Sequence, residues 1–266
     1  MKLLRIAFRL PLLILHIIFG LTVTLIFYSP WVRPWLPGSL YALPDKITVG
    51  WSAALCWIMG VKVRCHGERV QGSALYVSNH ISWLDIFSLL GLSHIIFVAK
   101  QEVKGWPVLG WLSYRVGTLY IRRGGFEASR LADEAMTECM NEGTSVMIFP
   151  EGTSSDGTSV KRFHARLFQA AITAKSVVQP IALCYPTEDG ISTVAPFIGD
   201  DEFVPHMLRV MGEPSTPIDI YFCEPIDAGD KQRRKLADTA YERVVEKLTE
   251  VSQPSETEAG KESLSA

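Results

Sequence analysis

Apolar positions divide the chain into a long uninterrupted run near its start and a body of short alternating segments. From Leu10 to Tyr28, nineteen successive residues carry no formal charge, close to the roughly 20 residues that cross a bilayer core as a helix. A second apolar stretch, 47–61, is short for a full crossing. The pattern predicts a membrane-associated helical region over residues 1–64.

Two arrangements of this region fit the pattern. In the first, the two stretches form a helical hairpin that dips into one leaflet with tryptophans near the interface. In the second, residues 47–61 are a core helix of the globular part. A cleaved signal peptide is disfavoured because no small-residue cleavage site follows the first run. The tryptophans of the hairpin are Trp31, Trp35, Trp51 and Trp57.

After Cys65 the pattern changes to short apolar runs of strand length, with helical periodicity between them. Helices are predicted over 126–141, 165–175 and 230–249. Alternating strands and helices predict an α/β fold, a central mixed or mostly parallel sheet flanked by helices, over residues 65–251. Residues 252–266 have the composition of a disordered tail. The predicted strands are Ala74–Ser78, Ile95–Ala99, Thr118–Ile121, Ser145–Phe149, Val177–Leu183 and Ile218–Phe222.

Charge is segregated along the chain. The whole sequence has 26 basic and 28 acidic residues, but residues 1–64 carry seven basic side chains and one acid, a net charge of +6. Cations beside apolar segments favour an anionic membrane surface, and their excess before the first run places the N-terminus in the cytoplasm. Five widely spaced cysteines without a C-x-x-C pair indicate neither a disulfide framework nor a zinc site and favour a reducing compartment.

A histidine and an aspartate five residues apart stand where a buried strand gives way to a helix. His80 follows the apolar strand 74–78, and Asp85 falls in the first turn of the next apolar helical run. Open α/β sheets bind ligands outside the carboxyl ends of their strands, so His80 is placed to act as a base. Asp85 can then fix the imidazole tautomer and stabilise imidazolium.

The alternative for the same residues is structural. Ser82 and Asp85 have the spacing of a capping box, with His80 an incidental loop residue, and the two interpretations can coexist because a carboxylate accepts several donors. No G-x-S-x-G elbow and no cysteine accompany the pair. A base without an enzyme nucleophile favours direct attack by a substrate hydroxyl.

Four ordered blocks between residues 65 and 225 resemble the motifs of the glycerolipid acyltransferase family, which includes bacterial 1-acylglycerol-3-phosphate acyltransferases. The first is Asn79-His80-x4-Asp85. The second covers Lys100 to Gly110 and then 117–123, with its arginine at Arg123. The third is Phe149-Pro150-Glu151-Gly152-Thr153, and the fourth is Val178-Gln179-Pro180-Ile181.

The resemblance implies roles for these residues. His80 and Asp85 would be catalytic, while Asn79, Arg123, Glu151, Gly152 and Thr153 would bind the substrate. Family members often have an arginine after the third block, where this chain has Ser154-Ser155-Asp156-Gly157. That wording resembles members that acylate lyso-ornithine lipids.

The implied reaction moves a fatty acyl group from acyl carrier protein or coenzyme A to the free hydroxyl of 1-acyl-sn-glycerol-3-phosphate. Lyso-ornithine lipid is the alternative acceptor. The resemblance implies no metal, no redox cofactor and no nucleic-acid partner, and it places the enzyme at the bacterial inner membrane with its catalytic domain in the cytoplasm. A membrane-bound serine hydrolase and a non-enzymatic lipid-binding protein are further alternatives from other classes.

Overall fold

A central sheet organises the molecule, which a computed structural model describes over residues 1–27, 43–106, 108–121, 126–229 and 231–252. The strands are Val61–His66 (β1), Ala74–Ser78 (β2), Ile96–Lys100 (β3), Leu119–Ile121 (β4), Val146–Ile148 (β5), Val177–Cys184 (β6), Pro186–Thr187 (β7), Gly190–Ile191 (β8), Thr216–Phe222 (β9) and Ile226–Asp227 (β10). The α-helices are Lys2–Phe27 (α1), Leu43–Met59 (α2), Leu84–Leu90 (α3), Leu109–Arg115 (α4), Phe126–Asn141 (α5), Gln169–Thr173 (α6), Phe203–Gly212 (α7) and Arg233–Ser252 (α8).

The sheet is mixed and mostly parallel. Its strand order is β1-β9-β6-β2-β5-β3-β4, with β10 beside β6 and a separate β7-β8 hairpin. The β6–β9 and β6–β10 pairs are antiparallel, whereas the pairs from β6 through β2, β5 and β3 to β4, together with β1–β9, are parallel. The predicted fold class is confirmed.

The sheet is buried on both faces because helices cover each side. Successive side chains of a strand point to opposite faces, and in β2 Tyr76 belongs to the core beneath α1, α2, α3 and α7. Its neighbours Leu75 and Val77 belong to the core beneath α5, α6 and α8. Burial on both faces explains why β2 is a continuous apolar run without alternation.

The N-terminal helices pack on the globular body. Among the described residues, α1 is the one helix long and apolar enough to cross a membrane, and many of its large apolar side chains are exposed. Helix α2 contacts α1 and α3 and contributes Leu55, Cys56, Ile58 and Met59 to the core. Residues 28–42, with Trp31 and Trp35, lie outside the described residues.

Helix α1 is also attached by its cationic end. Arg5 donates to the carbonyl of Gly212 at 2.6 Å, and Arg9 donates to the carbonyls of Met211 and Glu213 at 2.9 and 2.7 Å. These carbonyls stand at the end of α7, where backbone acceptors have no partner within the helix. Basic side chains at that end are favourable partners.

Several elements escape the sequence pattern, namely β1, α4, α7 and the short strands β7, β8 and β10. Strand β1 pairs only with β9 on the path of the main sheet, and most of its side chains are intermediate or exposed, so it lacks a buried apolar run. The last helix continues to Ser252, and the predicted tail beyond it lies outside the described residues.

Candidate active site

The histidine–aspartate pair lies at the carboxyl end of β2, between the parallel neighbours β5 and β6. The chain leaves the sheet at Ser78, forms a short loop, and enters α3 at Leu84. Residues that follow β5 and β6 therefore approach the same loop. This arrangement matches the expectation that ligands bind at the carboxyl edge of an open sheet.

His80 and Asp85 are in direct contact. The His80 Nδ1 atom lies 2.8 Å from Asp85 Oδ2, with the aspartate fully buried and the histidine side chain 20% exposed. Because a carboxylate only accepts, Nδ1 carries the proton. The neutral ring then has its lone pair at Nε2, the nitrogen that a general base uses.

Asp85 also closes the loop that carries the histidine. Its Oδ2 atom accepts the backbone N–H groups of Ile81 and Ser82 at 2.8 and 3.0 Å. This is the carboxylate half of a capping box, whereas the buried Ser82 hydroxyl has no hydrogen-bond partner among the described residues. The structural and catalytic interpretations of Asp85 hold together.

Residues of the third block contact both the ring and the backbone of His80. The Phe149 ring stacks on the imidazole with centroids 4.0 Å apart and planes at 17°. The Glu151 carboxylate accepts the backbone N–H of His80 at 2.9 Å through one oxygen and that of Lys161 at 2.9 Å through the other. Burial raises the pKa of Glu151. These contacts fix the histidine backbone and limit its ring to one plane.

Gly152 occupies a conformation that suits glycine. Its φ is +71°, and a Cβ atom there would lie 3.4 Å from the His164 ring. Thr153, the next residue, is exposed. The turn therefore presents an exposed hydroxyl next to Glu151, which contacts the His80 backbone, while the Gly152 N–H donates to the Phe149 carbonyl at 3.0 Å.

The Asn79 side chain connects the loop to strand β6 by two hydrogen bonds. Its side-chain amide donates to the Leu183 carbonyl at 2.9 Å and accepts the Leu183 N–H at 2.8 Å, and the residue is 1% exposed. Arg123 lies outside the described residues. Of the predicted site residues, the structure thus brings together Asn79, His80, Asp85 and the 151–153 turn.

Comparisons with known proteins identify the family of the chain. A family model described as Acyltransferase matches residues 62–184. The lyso-ornithine lipid O-acyltransferase of Pseudomonas aeruginosa is 38% identical over 232 residues, which cover 86% of this chain and 90% of that protein. The chain belongs to the acyltransferase family.

Two further relatives bear on the fold and the class. The 1-acyl-sn-glycerol-3-phosphate acyltransferase of Neisseria gonorrhoeae is 32% identical, over 71% of this chain and 74% of its own. The crystal structure of the 1-acyl-sn-glycerophosphate acyltransferase PlsC from Thermotoga maritima superposes with a TM-score of 0.62 at 22% identity, covering 94% of this chain and 98% of that one. The latter supports the fold.

The sequence pattern does not predict one residue of this candidate site. Tyr185, directly after β6, is fully buried, and its hydroxyl donates to Asp85 Oδ1 at 2.6 Å. The two residues are 100 positions apart, so no local spacing connects them. The available signal was that the fourth block lies in a strand, β6, which pairs with β2 and ends just before Tyr185.

The protein also contains an apolar cavity of about 160 Å³. It lies between α1, α2, α3, β3 and α4 and is walled by Trp51, Trp83, Phe87, Phe97 and Leu112. The Phe97 ring lies 6.1 Å from the ring of Phe149, which stacks on His80. Ring contacts through Phe97 and Phe149 thus connect the wall of the cavity to His80.

Proposed function

We propose that this acyltransferase moves a fatty acyl group from a thioester to the free hydroxyl of a one-chain membrane lipid. The observation that carries the proposal is the His80 Nδ1 contact with Asp85, because it leaves Nε2 available as a base. The acceptor oxygen attacks the thioester carbonyl while Nε2 takes its proton. The tetrahedral intermediate then expels the thiolate, which takes up that proton, and an ester remains.

The buried Asp85 carboxylate stabilises the positive charge that develops on His80 during the transfer. As the imidazole gains a proton, the buried Asp85 carboxylate stabilises the new cation at 2.8 Å. Phe149 keeps the ring in one plane during the transfer. The 151–153 turn and Arg123 are assigned to the acceptor headgroup, with Asn79 and Glu151 acting through the placement of the loop.

The apolar cavity is the proposed place of an acyl chain. Its lining is aromatic and aliphatic, and ligand pockets of this kind bind apolar chains by burial. Because Phe97 and Phe149 connect it to His80, a chain inside it would bring its carboxyl end to the base.

Two acceptors are proposed. One is 1-acyl-sn-glycerol-3-phosphate, on which the Neisseria relative acts by its name, giving phosphatidic acid. The second is lyso-ornithine lipid, favoured by the Pseudomonas relative, whose match extends over 86% of the chain, and by Ser154 and Ser155 in place of an arginine. Both serines bond to backbone carbonyls, of Phe197 and His80.

The donor is proposed to be acyl carrier protein or acyl-coenzyme A. Basic residues beyond the third block are exposed, with Arg162 at 3.5 Å from Asp238 and the Lys161 amine at 3.4 Å from the Ser154 carbonyl. Such a surface suits an acidic carrier protein or the coenzyme A phosphates.

The apolar α1 and the membrane-lipid relatives indicate membrane association. The finer placement is a proposal: the bacterial inner membrane, an anionic surface, and a catalytic domain on the cytoplasmic side. The exposed apolar side chains of α1, such as Leu15, Ile18 and Phe19, would then face lipid.

The test is acyl transfer by the purified protein in detergent, with acyl carrier protein and coenzyme A thioesters offered against both acceptors. His80→Ala should abolish product, because it removes Nε2, the proposed base. His94→Ala is the matched control, since His94 pairs with Asp45 at 3.4 Å in the loop before β3. Equal product from His80→Ala and the native protein would refute the proposal, and product from one acceptor alone identifies the headgroup.

A further inference from the structure

Tyr185 supplies a hydrogen bond to the catalytic carboxylate from a distant part of the chain. Its hydroxyl lies 2.6 Å from Asp85 Oδ1, and the whole residue is buried. The other oxygen, Oδ2, accepts N–H groups of residues 80, 81 and 82. Those three donors belong to the loop itself, whereas the tyrosine is anchored at the end of β6.

The buried charge of Asp85 depends on these four donors. Asp85 has no ion pair with lysine or arginine among the described residues, so hydrogen bonds and the imidazole alone balance its charge. A buried carboxylate without such partners would be strongly destabilised. Tyr185 stays protonated, because burial and the nearby carboxylate raise its pKa well above 10. It therefore donates at any working pH.

We propose that Tyr185 is a positioning residue of the acyl-transfer reaction, which holds the Asp85 carboxylate in one orientation and withdraws part of its charge from the bond to His80. The inference rests on the proposed role of His80 as the base. Oδ1 and Oδ2 share one negative charge, so a strong donor on Oδ1 weakens the pull of Oδ2 on the imidazole proton. Without that donor the charged imidazolium is favoured at higher pH.

The other titratable groups around the pair do not replace this contact. Glu151 contacts the backbone of His80, and each of its two carboxylate oxygens accepts a backbone N–H group. Cys56 is near Tyr185, and burial raises the pKa of its thiol to about 11 and keeps it neutral. His164 and Lys161 belong to the third-block side, and neither contacts Asp85 in the described structure.

Tyr185→Phe removes the donor and keeps the ring. The expected result is that the acidic limb of the pH profile of kcat/KM moves up by about one pH unit, so that kcat/KM at a fixed pH on that limb falls about tenfold. The pH midpoint of the His80 imidazole signal, followed by NMR in ¹³C-histidine-labelled protein and assigned with His80→Ala, should move in the same direction.

Tyr76→Phe is the matched control. Tyr76 is 2% exposed and lies on β2, facing the pocket with Arg69 and Ser145 at the opposite edge of the sheet. Tyr76→Phe should lower the free energy of unfolding, while the pH profile of kcat/KM and the pH midpoint of the His80 signal stay unchanged. The inference is overturned if Tyr185→Phe loses stability in the same way while the acidic limb of kcat/KM and the pH midpoint of the His80 signal stay unchanged. Tyr185 would then be a core residue without a role in positioning Asp85.

A second substitution keeps the test decisive if the phenylalanine variant does not fold. A fluorinated tyrosine at position 185 keeps the shape and strengthens the O–H donor, so the limb and the midpoint should move to lower pH; no movement overturns the inference. If the native protein acylates neither acceptor, the proposed function fails by its own assay. The NMR midpoint still reports whether Tyr185 acts on His80.

Discussion

Asp85→Asn separates the charge of the carboxylate from its geometry. An asparagine can direct its carbonyl oxygen to the three loop N–H groups now bound by Oδ2. Its amide can donate to the Tyr185 hydroxyl, which then accepts. The loop and the His80 tautomer are therefore kept, while the negative charge that would stabilise imidazolium is lost.

The size of the loss follows from the distance. The hydrogen-bonded atoms of His80 and Asp85 are 2.8 Å apart, which places the two charge centres at about 4 Å. Two unit charges at that separation interact by about 4 kcal/mol at an effective dielectric of about 20. Since about 1.4 kcal/mol is tenfold in rate, kcat should fall about 10³-fold.

The assay is single-turnover acyl transfer beside a thermal melt. Asp219→Asn is the matched control, because Asp219 is also a buried aspartate in contact with a histidine, His66 at 3.0 Å, and it pairs with Arg64 at 2.6 Å. That control should cost stability and leave turnover within a few-fold of native. A folded Asp85→Asn enzyme that retained more than about a tenth of the native rate would refute the electrostatic role.

Two more predictions concern stability. Glu151→Ala leaves the part-buried N–H groups of His80 and Lys161 without their acceptor, at about 0.5–1.5 kcal/mol each. Urea unfolding should show this loss and turnover should fall with it, while unchanged stability would contradict the role of Glu151 in holding the loop. Burial lowers the pKa of His206 below 6.5, so the unfolded chain takes up that proton first and the free energy of unfolding should fall as pH drops below 6.5. The fall should be smaller in His206→Gln, and equal falls would count against the assignment.

The sequence could predict the elements whose environment is uniform. Strand β2 is buried on both faces and helix α5 has one clear apolar side, and both were placed at their observed bounds. Strand β1 could not be found from composition, because it lies at the sheet edge and most of its side chains face solvent. Its place is decided by pairing with β9, a partner more than 150 residues away.

The site divides in the same way. His80 and Asp85 were predictable because their contact is made within one turn of chain, where spacing determines geometry. Tyr185 was not, since its contact depends on β6 lying beside β2. The hydrogen bonds of Glu151 were not predictable either, because its two backbone partners lie 71 and 10 positions away. The chemistry of the third block was therefore clearer from resemblance than from its residues.

The cations before the apolar run show how one sequence feature can serve two purposes. Lys2, Arg5 and Arg9 indicate a cytoplasmic N-terminus by the positive-inside rule, yet in the structure Arg5 and Arg9 bond to carbonyls at the end of α7 and Lys2 pairs with Glu213 at 3.2 Å. A guanidinium bound to backbone acceptors has fewer donors left for lipid phosphates. The same charges that are predicted to orient α1 thus attach it to the globular body, so α1 and the active-site loop are expected to keep a fixed distance at the membrane surface.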